Sequence, residues 1–193
     1  MRFKVFTLLA VVGLLVLVAA YDRRSDVPTS ALNDAVVAPA PVQHPAVPDV
    51  PLPLTTGQTV RFADLKEPLL LVNFWASWCA PCVAELPDMV RLSAASGGQI
   101  ALVAISVDDD KAAMSRFMAY LRHSVGAEVF DSARLYWVWD GADKAISLTA
   151  FGGVKVPETV IVNAERRMVH KIAGTYPWAD AATPAMLRKL AAN

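Results

Sequence analysis

The two cysteines of the chain, Cys79 and Cys82, stand in the segment Trp78-Cys79-Ala80-Pro81-Cys82. A C-x-x-C pair suits dithiol chemistry if a helix begins at the first cysteine. Unpaired N–H groups and the helix dipole then stabilise a thiolate at Cys79. Cys82 lies one turn further on and on the same face. The two sulfurs can close a small ring without moving the backbone. The expected chemistry has an exposed Cys79 sulfur attacking a disulfide and Cys82 attacking the mixed disulfide that results. Two other readings of the pair are weaker. Half of a metal site would need partners, yet the chain has no second pair and its histidines, His44, His123 and His170, are scattered. A purely structural bridge over so short a loop adds little stability.

The pattern around the pair supplies the elements needed to position it. Leu69 to Phe74 is a continuous apolar run, as a strand buried on both faces requires. A helix is predicted from Cys79 to about Ala95, ended by Gly97-Gly98. Pro87 falls inside it and should kink it. Ile100 to Val107 reads as a second buried strand, and Asp108-Asp109-Asp110 as the cap of a helix reaching about His123. Thr59 to Phe62 and Glu128 to Phe130 read as weak strands. Residues 131–152 are less regular, with a short helix expected over Ala142 to Phe151. Thr159 to Val162 and Met168 to Ala173 form a hairpin turning at Asn163 to Arg166. Pro184 to Ala192 reads as a terminal helix. The order predicts an α/β fold, a mixed sheet with helices on both faces.

Composition narrows the function. The chain has 193 residues, 18 basic and 18 acidic side chains and 55% hydrophobic residues. Disorder throughout is excluded. A neutral chain lacks the basic footprint of a nucleic-acid binder, so no nucleic-acid partner is expected. Two cysteines exclude a disulfide scaffold and a four-cysteine zinc site.

The N-terminus reads as a targeting element. Arg2 and Lys4 precede sixteen uncharged residues, Val5 to Ala20. Residues 1–24 are therefore a signal-anchor or a signal peptide. Val18-Ala19-Ala20 suits a cleavage site. As a helix the sixteen residues span about 24 Å, short of a hydrocarbon core of about 30 Å. Tyr21 and the flanking basic groups could make up the difference. Either way the rest of the chain lies outside the cytoplasm. Residues 25–53 hold Pro28, Pro39, Pro41, Pro45, Pro48, Pro51 and Pro53, with alanine and valine filling most gaps. They read as a semi-rigid tether, leaving 54–193 as the folded domain.

Val72-Asn73-Phe74-Trp75-Ala76-Ser77-Trp78-Cys79-Ala80-Pro81-Cys82, with Glu85 and Pro87 following, resembles the thioredoxin-like proteins of bacterial envelopes, of the TlpA/ResA/CcmG type. Val156-Pro157-Glu158-Thr159 resembles the family's second signature, in which the proline is cis. The resemblance covers roughly residues 54–191. It implies a thioredoxin-like fold and a membrane-anchored thiol-disulfide reductase of the cell envelope, held by residues 5–20. It implies protein disulfides as substrates, apocytochromes c among them, and a membrane protein as reductant. No bound cofactor and no metal are expected, because the electrons reside in the cysteine pair. Two other classes stay open: a redox-inert thioredoxin-fold binding or assembly module, and a disulfide oxidase or peroxidase.

Resemblance also assigns roles. Cys79 is the nucleophile and Cys82 the resolving thiol. Asn73 stands where cytoplasmic thioredoxins place a buried aspartate, and it cannot titrate. The resemblance to ResA passes proton handling to Glu85, three residues after Cys82 and on the same helix face; a solvated surface glutamate is the plainer reading. Val156 and Pro157 shape the substrate groove, and Trp78 contacts substrate. Trp75 is expected beneath the pair. Residues 131–152, with Tyr136, Trp137 and Trp139, are longer than the family's usual connection and read as packing or as a docking surface.

Overall fold

The computed structural model describes residues 44–192. The anchor or signal over 1–24 and the tether from 25 to 43 lie outside the described residues. Leu52–Pro53 (β1) and Thr59–Val60 (β2) form a short antiparallel ribbon, followed by a 3-10 turn at Phe62–Asp64. Leu69–Trp75 (β3) leads to the helix Ala80–Ala95 (α1), and Ile100–Ser106 (β4) to Lys111–Val125 (α2). A short helix Ala127–Ser132 (α3) precedes Arg134–Trp139 (β5). A π-helical turn spans Ala145–Ala150. Glu158–Val162 (β6), Met168–Ala173 (β7) and the helix Thr183–Ala191 (α4) complete the chain.

The main sheet has the order β5-β4-β3-β6-β7. β3, β4 and β5 are parallel, while β6 and β7 run antiparallel to their neighbours. All residues of β3 and β4 are buried, as their unbroken apolar runs require. Alternate residues of β3 feed two cores. Leu69, Leu71 and Trp75 pack with α1, α2 and α4. Leu70, Val72 and Phe74 pack under Val47, Leu52, Phe62 and Ile146. One face thus carries the α-helices. The other is closed by the 3-10 and π-helical turns and the N-terminal segment.

Three expectations need correction. Residues 44–53, assigned to the tether, pack on the domain. Val47 and Leu52 are buried, Val47 N–H donates to the Arg166 carbonyl, and the Pro45 carbonyl accepts from Met168 N–H. Proline lacks a donor but keeps its acceptor, so a proline-rich segment can still pair with a strand edge. Glu128 to Phe130 is helical rather than extended. Gly126 takes φ 91° between α2 and α3 and lets a second helix start at once. β5 lies within the irregular stretch 131–152. Its side chains are largely spent on packing: Trp137 stacks on Phe130 with centroids 6.1 Å apart, Tyr136 Oη donates to Glu67, and Trp139 Nε1 donates to the Asp108 carbonyl. That favours packing over docking for the three aromatics. The helix expected over Ala142 to Phe151 is present as the shorter π-helical turn.

Candidate active site

β3 ends at Trp75 and delivers the chain to the cysteine turn. Trp75 is wholly buried, with its ring centroid 4.9 Å from Phe117 and 5.7 Å from Trp137. Cys79 N–H donates to the Ala76 carbonyl, and Cys79 with extended backbone is the N-cap of α1. Pro81 sits in the first helical turn, where its missing N–H would have no helical partner in any case. The Cys82 N–H points at the Cys79 sulfur, at 3.4 Å. The two cysteines are joined as a disulfide, their Cα atoms 5.3 Å apart.

Cys79 is 6% exposed and Cys82 not at all. The openly exposed sulfur expected at Cys79 is therefore only a narrow opening. Trp78 is 67% exposed and stands out from the surface beside it. The Val156–Pro157 bond is cis. Among the described residues the Val156 N–H and C=O make no hydrogen bond, whereas the Pro157 carbonyl accepts from Gly174 N–H.

Glu85 is buried, which removes the solvated reading. Its carboxylate accepts from Asn73 Nδ2 at 3.3 Å, from Tyr176 N–H at 3.3 Å and from Trp178 Nε1 at 3.2 Å. Asn73 Nδ2 also donates to Thr159 Oγ1 at 3.0 Å. The resemblance ties Asn73 to Glu85, but no sequence signal links Glu85 to Thr159, on β6, or to Trp178, in the loop before α4. Burial raises the Glu85 carboxyl above its ordinary value, against the pull of Tyr176, Trp178 and Asn73. A raised carboxyl favours the folded state while it is protonated. That contribution is complete below the ordinary carboxyl range and is lost as pH rises through the raised value. Glu85→Gln is expected to flatten this part of the stability–pH curve, read by urea unfolding between pH 4 and 8. The same variant should remove one inflection from the pH profile of thiol exchange. A profile identical to wild type would reduce Glu85 to a packing residue.

Comparison with known proteins agrees with this geometry. The Redoxin family model matches residues 41–186. The thiol-disulfide oxidoreductase ResA of Bacillus subtilis is 30% identical over 129 residues, 66% of this chain and 65% of ResA. The matched stretch thus spans just under two thirds of ResA's length. The thiol:disulfide interchange protein HelX of Rhodobacter capsulatus is 31% identical over 149 residues, 74% of each chain. Among solved structures, a thioredoxin-family thiol:disulfide interchange protein of Chlorobium tepidum superposes with a TM-score of 0.59 at 22% identity, covering 79% of this chain and 99% of that one. StoA of Bacillus subtilis gives 0.52 at 18% identity, over 70% of this chain and 100% of that one. These likenesses fix the fold as thioredoxin-like. By its family model, its relatives and its cysteine pair, the chain belongs to the Redoxin family, alongside the thiol-disulfide oxidoreductases ResA and HelX.

Proposed function

We propose that the chain is a thiol-disulfide reductase of the bacterial envelope that acts on protein disulfides. The observation that carries this reading is the cysteine pair at the start of α1, one sulfur opening to the surface and a buried carboxyl on the same helix behind it. The Cys79 thiolate attacks one sulfur of a substrate disulfide. A Cys79–substrate bond forms and the other substrate sulfur leaves as a thiolate. Cys82 then loses its proton and attacks the Cys79 sulfur. The Cys79–Cys82 bond forms, the second substrate thiol leaves, and two electrons have passed to the substrate. Glu85, whose carboxyl burial raises above its ordinary value, accepts the Cys82 proton. The free backbone of Val156, next to Pro157, pairs with an extended substrate segment, and the exposed Trp78 contacts the substrate as well.

Residues 5–20 would hold the domain at the membrane, facing away from the cytoplasm. The spent disulfide is then re-reduced by a membrane protein that carries electrons outward. Apocytochromes c, whose cysteines must be reduced before haem attachment, are the substrate class that the ResA/CcmG resemblance supports. Reduction of insulin with dithiothreitol as donor tests the activity. The protein is expected to precipitate the insulin B chain well ahead of dithiothreitol alone. No acceleration would leave a redox-inert binding module.

A further inference from the structure

Asp108 is a buried acid that the exchange scheme does not use. It is 1% exposed and lies two residues after the end of β4. Both of its oxygens lie 3.0 Å from the Ser77 N–H. Oδ1 also accepts from the Ser77 hydroxyl at 2.7 Å, and Oδ2 from the Ser106 hydroxyl at 2.7 Å. Ser106 in turn accepts from the Asp108 N–H at 3.1 Å. Both carboxyl oxygens are thus engaged by the Ser77 and Ser106 groups. Ser77 is two residues before Cys79, at most about 7 Å along the chain.

The same residue ties in the stretch between β5 and β6. Its carbonyl accepts from Trp139 Nε1 at 2.8 Å and from Lys144 Nζ at 3.2 Å. Lys144 is mostly buried and pairs with Asp109 at 2.9 Å. The other charged groups here are the exposed Asp110 at the start of α2, Lys111 over the Trp139 ring, and the buried Asp140, whose N–H donates to the Ser106 carbonyl.

We propose that Asp108 is a positioning residue for the Cys79 nucleophile: it clamps the backbone that enters the cysteine turn and, as a fixed anion beside that turn, opposes the thiolate and keeps the pair reducing. The proposal rests on the reductase reading above. A carboxylate near a thiolate raises the energy of the thiolate and leaves a nearby neutral disulfide almost untouched. The oxidised form gains by comparison, so the pair gives up electrons more readily. Lys144 acts on the thiolate with the opposite sign.

The full-length protein is titrated with glutathione at pH 8, where the thiolate carries the effect. Asp108→Asn keeps the shape and removes the charge. It should shift the equilibrium three- to tenfold towards the reduced pair, about 15–30 mV towards oxidising, and lower the midpoint of Cys79 alkylation against pH. Lys144→Met should move both readouts the other way, by about twofold. A clamp without the electrostatic role would move neither, or both variants in one direction, and either outcome overturns the proposal. If Asp108→Asn does not fold, Lys144→Met decides alone: an unchanged equilibrium overturns the proposal and the opposite shift upholds it. An oxidising wild-type potential would instead overturn the reductase reading, whatever the variants do.

Discussion

Cys82→Ser is expected to accumulate a covalent complex with its protein substrate, and Cys79→Ser none. The asymmetry follows from the start of α1. Cys79 caps the helix, receives the Cys82 N–H at its sulfur and has the only exposed edge of the pair. Cys82 is wholly buried in the apolar cluster with Leu86 and Met89. A substrate disulfide can therefore reach the first sulfur but not the second. Without Cys82 the mixed disulfide has no internal attacker, and its release waits for an outside thiol. Turnover of a protein disulfide should fall by at least about a thousandfold in both variants, some 4 kcal/mol of barrier. Only Cys82→Ser should show a higher band on a non-reducing gel, lost on adding dithiothreitol. The band in Cys79→Ser instead would reverse the two roles.

Much of the fold was legible where one residue type settles the matter. The unbroken apolar runs of β3 and β4 require strands buried on both faces, and both are there. Asn163 to Arg166 reads as a turn because Asn163 can satisfy its own neighbourhood; its carbonyl accepts from Arg166 N–H and its side chain from Arg167 N–H. β5 was hidden because it mixes half-buried aromatics with no clean alternation. The proline-rich residues 44–53 misled because composition shows missing donors and not the Pro45 carbonyl, which accepts from Met168 of β7.

The site divides in the same way. The pair and Glu85 share one helix, so their spacing shows their common face. What surrounds Glu85 does not: Thr159 lies 86 residues from Asn73, and Trp178 lies 93 residues from Glu85. Only the closing of β3 on β6, and the return of the chain after β7, bring them together. Asp108 is a further case. It reads in sequence as one of three acids before a helix, yet Asp110 is the residue that caps α2, through the Ala112 N–H. Asp108 turns inward to Ser77.

The reduction potential of the pair is expected near that of thioredoxin, about −270 mV, and far from that of DsbA, about −120 mV. A strong oxidant stabilises its reduced form through the thiolate, so the support for that thiolate decides the matter. Here the support is modest. Among the described residues the Cys79 sulfur accepts one hydrogen bond, the Cys82 N–H at 3.4 Å. No arginine, lysine or histidine among them is hydrogen-bonded to it, and the Asp108 carboxylate is hydrogen-bonded to Ser77, two residues before it. The gap of about 150 mV between the two limits corresponds to about 7 kcal/mol for two electrons. One amide dipole at the edge of a helix supplies a small part of that, of the order of 1 kcal/mol. Equilibration with glutathione or a lower-potential dithiol, followed by alkylation of the free thiols, gives the value directly. A potential above about −180 mV would make the protein an oxidant. The exchange chemistry at Cys79 and Cys82 would stand, but electrons would flow from substrate to protein, and the outward supply of electrons across the membrane would have no part in it.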